Sequence, residues 1–142
     1  MDRQLTLYPV FAMVTLTLIV WISVYITRAC EIWNKRIPVQ KLATRSGAGQ
    51  MLKSVAGPPD NLLNLFELPV LFYVLMVLLF VTDRGDGIYL ALAWGYVLLR
   101  AIHSFIHCTY NCVLHRFSAY LVSSLVLWAL WSALAWQVLG GA

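Results

Sequence analysis

IYLALAWGYVLLRAIHSFIHCTY, residues 88–110, is an apolar run long enough to cross a hydrocarbon core of about 30 Å as a helix rising about 1.5 Å per residue. Arg100, His103 and His107 interrupt it at spacings of three and four, so all three project from one helical face. An ionisable group at membrane depth is costly unless it is paired or solvated, which makes such a stripe a functional-site hypothesis by default. On either side of this run lie three more apolar blocks, near 5–27, 61–82 and 117–139. They are too long for barrel strands and lack the period-two alternation of strands, so helix is the spanning form. The expected fold is all-α: an integral membrane four-helix bundle forming one domain over 1–142.

Composition agrees with that reading. The chain is 61% hydrophobic and 11% charged, which leaves no room for a large soluble core beside the apolar blocks. The first block exceeds a normal signal h-region and no small-x-small site follows it, so it is expected to stay as a helix. Charge placement sets the orientation. The 28–60 connection carries Arg28, Lys35, Arg36, Lys41, Arg45 and Lys53, and the third connection adds Arg116, against Arg3 and Arg84 on the other side. By the positive-inside rule the first and third connections face the cytoplasm and both termini face away from it. Basic residues this close to a membrane anchor to anionic lipid, and no aromatic–basic pattern accompanies them to suggest nucleic acid. Cys30, Cys108 and Cys112 are odd in number and read as apolar filler rather than as a disulfide framework.

Asp83-Arg84-Gly85-Asp86-Gly87 is a tight turn joining the second and third helices as antiparallel neighbours. The 28–60 stretch is the segment with room to cover a site. Residues 28–37 are expected to extend the first helix into water, and Gly47-Ala48-Gly49 to form a flexible loop, since no strand precedes it to make a phosphate-binding motif. Asp60 is expected to N-cap the second helix. Trp128, Trp131 and Trp136 read as interfacial and packing residues near the far end of the last helix.

Helix direction gives depth. Counting in from the cytoplasmic surface, Asn64 lies about 5 Å deep, Glu67 about 9 Å, His107 about 6 Å, His103 about 12 Å and Arg100 about 16 Å. Arg116 starts the fourth helix at that surface, and Tyr120 follows one turn further in. These groups are expected to converge on one pocket in the cytoplasmic half of the bilayer. Each also has a plain structural reading: Glu67 in a buried ion pair with Arg100 or a hydrogen bond with His103, Asn64 as interhelical glue, Arg116 as an interfacial charge and Tyr120 as packing. His103-x-x-x-His107 has metal-binding spacing, but membrane enzymes built on such pairs use several of them, and this chain has three histidines. A small transporter with a buried Glu in its first helix is a further class, yet no Asp, Glu, Lys or Arg lies between Leu5 and Thr27.

The pattern resembles the MAPEG family, the membrane-associated proteins of eicosanoid and glutathione metabolism. Asn64-Leu65-Phe66-Glu67 is similar to the Asn-x-x-Glu of that family's second helix. Arg100-Ala101-Ile102-His103-Ser104-Phe105-Ile106-His107 is similar to the Arg-x-x-(His/Tyr)-x-x-x-Tyr of its third, and Arg116 and Tyr120 stand where its fourth helix begins. The stretch 64–73 resembles the bacterial branch, which implies a multi-pass protein of a bacterial inner membrane. The resemblance implies a homotrimer that binds glutathione as co-substrate. Asn64, Glu67, Arg100, His103 and His107 would hold the tripeptide, and Arg116 and Tyr120 would activate its thiol for attack on a lipophilic small molecule. No metal is implied. Two positions depart from the pattern: Asp60 stands where eukaryotic members carry Arg, and His107 replaces the last aromatic. A relative that has lost catalysis is the alternative these departures leave open.

Overall fold

The computed structural model describes residues 3–140, apart from the side chain of Arg45. The chain ends, whose side of the membrane the charge pattern assigns, and the Arg45 side chain counted in that pattern lie outside the described residues. Among those residues the regular elements are all helical. Four spans are long and apolar enough to cross a bilayer: Arg3–Lys35, Gly57–Thr82, Gly87–Cys108 and Val113–Leu139. This is a multi-pass membrane protein built on a four-helix bundle.

Helix α1 (Tyr8–Lys35) follows a short 3-10 turn at Arg3–Leu7 and carries Pro9 in its first turn, where a missing N–H costs nothing. It runs past the apolar block to Lys35 and stops at Arg36, whose left-handed backbone (φ 48) ends the helix. Inside the block the hydroxyls are satisfied locally. Thr15, Thr17 and Ser23 each donate to the carbonyl one turn back, at 2.8, 2.9 and 2.7 Å.

The connection beyond α1 is more ordered than its glycines suggest. It contains a 3-10 turn at Val39–Leu42, helix α2 (Arg45–Met51) and a second 3-10 turn at Lys53–Val55. Gly47-Ala48-Gly49 therefore lies within α2 and not in a flexible loop. The Thr44 hydroxyl accepts from the Gly47 N–H at 3.1 Å and starts that helix. Glu31 pairs with Lys35 and accepts from the Ser54 hydroxyl, which ties the connection to the end of α1.

The second span differs from expectation at both its start and its middle. It begins at Gly57, with prolines at 58 and 59 filling the first turn, so Asp60 sits within that turn rather than at the N-cap. Its carboxylate there still complements the helix dipole. The span is also not one helix over 61–82. It is α3 (Gly57–Leu65) followed by α4 (Leu68–Thr82), broken at Phe66 and Glu67. Pro69 is the cause: it has no N–H to give, and its ring crowds the carbonyl of Leu65 four residues back.

Helices α5 (Gly87–Cys108) and α6 (Val113–Leu139) complete the bundle. The turn between α4 and α5 is stopped by Asp83 in the left-handed region (φ 55), and Asp86 caps α5 through the N–H groups of Ile88 and Tyr89, at 2.9 and 3.0 Å. At this end Arg3 donates to the Phe80 and Val81 carbonyls, and Arg84 donates to the Gln137 carbonyl at 2.6 Å. Both arginines satisfy helix C-terminal carbonyls that would otherwise lack partners. The core runs through Met13, Phe72, Leu75, Met76, Tyr96, Leu127 and Leu130, with the Phe72 and Tyr96 rings stacked at 4.5 Å. The outside is apolar too: Phe11, Leu18, Leu98 and Leu125 are exposed, and only 17% of the most apolar window of the first span is buried. Such a surface needs acyl chains around it.

Gly57 is the tightest junction near the site. A Cβ there would stand 2.6 Å from the His107 carbonyl oxygen, so the start of α3 crosses the end of α5 at a distance that excludes a side chain. Gly57→Ala is expected to lower stability in detergent by about 1–3 kcal/mol, as overpacking does. Gly49→Ala, where a Cβ meets nothing within 4 Å, is expected to leave it unchanged or raise it. Thermal unfolding of the two variants checks this; equal midpoints would show that the crossing can relax.

Candidate functional site

The break before Pro69 organises the site. In an unbroken helix the Asn64 carbonyl would accept from the N–H of Leu68. Here Arg100 donates to it through Nη2, at 2.9 Å. Arg100 is completely buried, and its guanidinium lies 5.2 Å from the Tyr120 ring. A carbonyl released inside the bilayer requires a donor from a neighbouring helix, and the guanidinium supplies it. Neither structural alternative for Glu67, an ion pair with Arg100 or a hydrogen bond with His103, is formed among the described residues. Glu67 falls in the break itself, with an exposed side chain, and Arg100 makes its bond to backbone instead.

His103 and His107 follow Arg100 on the same face of α5. The rings stand edge to face with centroids 5.5 Å apart, and His103 lies 5.6 Å from the Tyr120 ring. His103 Nδ1 is 2.8 Å from the Arg116 carbonyl, an acceptor, so this nitrogen carries the ring proton. His103 Nε2 is buried and has no hydrogen-bond partner among the described residues, as is true of Arg100 Nε and Nη1. His107 has the opposite tautomer. Arg116 Nη1 lies 2.6 Å from its Nε2 and has only protons to offer, so Nε2 accepts and Nδ1 holds the proton. Asn64 Nδ2 lies 3.5 Å from that Nδ1, at the outer limit of hydrogen-bond distance.

Arg116, in the first turn of α6, is half-buried and held on both sides. Its Nη1 also donates to Asn111 Oδ1 at 2.8 Å. No carboxylate pairs with it among the described residues. Together these side chains face a cleft of about 440 Å³ lined by Asp60, Asn64, Glu67, His103, His107 and Arg116, with Tyr120, Phe117, Leu63 and Val113 completing the wall. Of the seven candidates from the sequence, six reach this wall. Arg100 does not, and stands behind it as a support. The cleft combines these polar groups with the apolar side chains of Leu63, Val113 and Phe117, and carries the Arg116 guanidinium on its wall.

Two asparagines escaped the sequence reading. Asn61, completely buried one turn before Asn64, accepts from the Ser104 hydroxyl at 3.4 Å and reaches Cys108 Sγ at 3.5 Å. Its i, i+3 spacing from Asn64 was the available signal. Asn111 has a left-handed backbone (φ 49) in the turn between α5 and α6, where Asn is a favoured residue, and only the structure shows its side chain on Arg116.

Comparison with known proteins agrees with this architecture. The model of the MAPEG family matches residues 6–136. No curated protein and no solved structure matches the chain.

The Asn61 cluster yields a stability prediction. Asn61→Ala removes the acceptor of a buried hydroxyl, which is expected to cost about 1–3 kcal/mol. An earlier thermal unfolding midpoint in detergent is the expected result, and an unshifted one would mean that the cluster does not tie α3 to α5.

Proposed function

This chain belongs to the MAPEG family, and from that premise we propose that it binds glutathione in the cleft and activates the thiol for attack on a lipophilic electrophile. Membership points to glutathione-dependent transferase or peroxidase chemistry as the class. The observation that carries the reading to this cleft is Arg116: a guanidinium on its wall, held by His107 and Asn111 and paired with no carboxylate among the described residues.

A free thiol is a poor nucleophile at neutral pH because the thiolate is the reactive form. A guanidinium within about 4–6 Å favours the anion and lowers the thiol pKa, typically by about 1–3 units. In this proposal Arg116 stabilises the thiolate sulfur, the thiol proton leaves to solvent through the open cleft, and Tyr120 donates its phenolic proton as a further hydrogen bond. Asn64, Glu67, His103 and His107 contact the tripeptide, while Arg100 shapes the wall without touching it. The sulfur lone pair then forms a bond to the electrophilic carbon as the leaving group departs with its electron pair. The electrophile enters from the bilayer side. We further read the assembly as a homotrimer in a bacterial inner membrane, with the basic 28–60 connection and the cleft on the cytoplasmic side.

Asp60 on the cleft wall favours a second reading, in which glutathione binds without turnover. A carboxylate there repels the carboxylates of the tripeptide.

Glutathione added to the purified protein is expected to give a thiolate absorbance near about 240 nm at neutral pH. Arg116→Ala is expected to reduce that signal several-fold, by up to about tenfold for each unit that the thiol pKa rises. A signal unchanged in Arg116→Ala would remove Arg116 from the mechanism. A normal signal without conjugation of any electrophile tested would favour the binding reading.

A further inference from the structure

Asn111 lies in the turn that separates α5 from α6, and neither the apolar pattern nor the family motifs point to it. Three observations meet there. Its φ of 49 places it in the left-handed region. Its N–H donates to the Ile106 carbonyl at 2.8 Å and closes the end of α5. Its Oδ1 accepts from Arg116 Nη1 at 2.8 Å, on the same nitrogen that bonds His107 Nε2 at 2.6 Å.

We propose that Asn111 is a positioning residue for Arg116: with His107 it clamps one guanidinium nitrogen between two uncharged acceptors, holding the group in place while leaving its charge unneutralised for an anion in the cleft. This inference rests on the glutathione reading above.

The choice of acceptor carries the argument. A carboxylate would hold Arg116 more strongly, through charge-assisted and often bidentate bonds. It would also cancel much of the field that a bound thiolate needs. The ionisable groups around Arg116 fit that requirement. From α5 it meets His103, through its own carbonyl, and His107, through Nη1. From α3 and the break beyond it, Asp60 and Glu67 line the same cleft without pairing with it, and Tyr120 lies one turn further along α6. The turn conformation narrows the residue further. At positive φ, Gly, Asn and Asp are tolerated where other residues are strained, and of these Asn alone brings an uncharged acceptor.

That same tolerance supplies the test. Asn111→Asp keeps the turn and the clamp but adds a negative charge. Asn111→Gly keeps the turn and the charge balance but loses the clamp. The full-length protein in detergent is titrated with reduced glutathione, and the thiolate absorbance is followed against pH for wild type and both variants. Asn111→Asp is expected to raise the apparent pKa of the bound thiol by about one unit or more, and Asn111→Gly by less. A merely structural role would leave Asp like wild type and make Gly the more damaging change. Either an Asp variant that titrates like wild type or a Gly variant shifted further than Asp overturns the proposal. A wild-type protein with no thiolate signal overturns the glutathione reading and this inference together, which separates the two failures.

Discussion

One hydrogen bond carries much of this architecture: Arg100 to the carbonyl of Asn64. Backbone polar groups inside a bilayer must find partners within the protein, because lipid offers none. Pro69 breaks the second span and releases carbonyls before it, and a fully buried guanidinium from α5 takes one of them. That bond sets α5 against α3 in a defined register. It explains why a costly arginine can be fully buried without a carboxylate partner among the described residues. It also aims the rest of the stripe: His103 and His107, one and two turns nearer the end of α5, turn toward the start of α6. Gly57 lets α3 approach closely enough for Asn64 to reach His107.

The site built on this register works through neutral contacts. Each histidine has one nitrogen engaged by Arg116, one by its backbone and one by its side chain, and the two rings consequently hold opposite tautomers. The guanidinium is immobilised by groups that do not spend its charge. A positive charge in a partly buried cleft, paired with no carboxylate among the described residues, exerts its strongest effect on whatever anion enters. The same logic makes Asp60 and Glu67 significant. They line the cleft without pairing with Arg116.

Much of this was legible in the chain. The four apolar blocks identify the spans because length and hydropathy suffice when the solvent is lipid. The depth argument brings Asn64, Glu67, His103, His107, Arg116 and Tyr120 to one wall, since helical rise is regular. Irregular backbone was harder to read. A proline inside an apolar block can be absorbed or can break the helix, and the outcome at Pro69 depends on Arg100, a contact made across more than thirty residues. Charge alone offers Glu67 a partner in Arg100 or His103, but it does not show that the break frees a carbonyl for Arg100 and leaves Glu67 exposed. Gly47 and Gly49 suggested a loose segment because glycine favours disorder in isolation, whereas Thr44 capping and the tie of Ser54 to Glu31 hold the connection in helical turns. Asn111 was invisible because its role depends on side-chain direction in a turn.

The central claim is that this cleft binds glutathione as its thiolate, and the number of protons released on binding tests that most directly. Calorimetric titrations of glutathione into the purified protein at neutral pH, repeated in buffers of different ionisation enthalpy, give that number. The account predicts release of about one proton per glutathione bound, with none released by S-methylglutathione, which has no thiol proton. Glutathione binding with no proton release would contradict it, because the sulfur would then enter the cleft as a thiol and Arg116 would have no anion to hold.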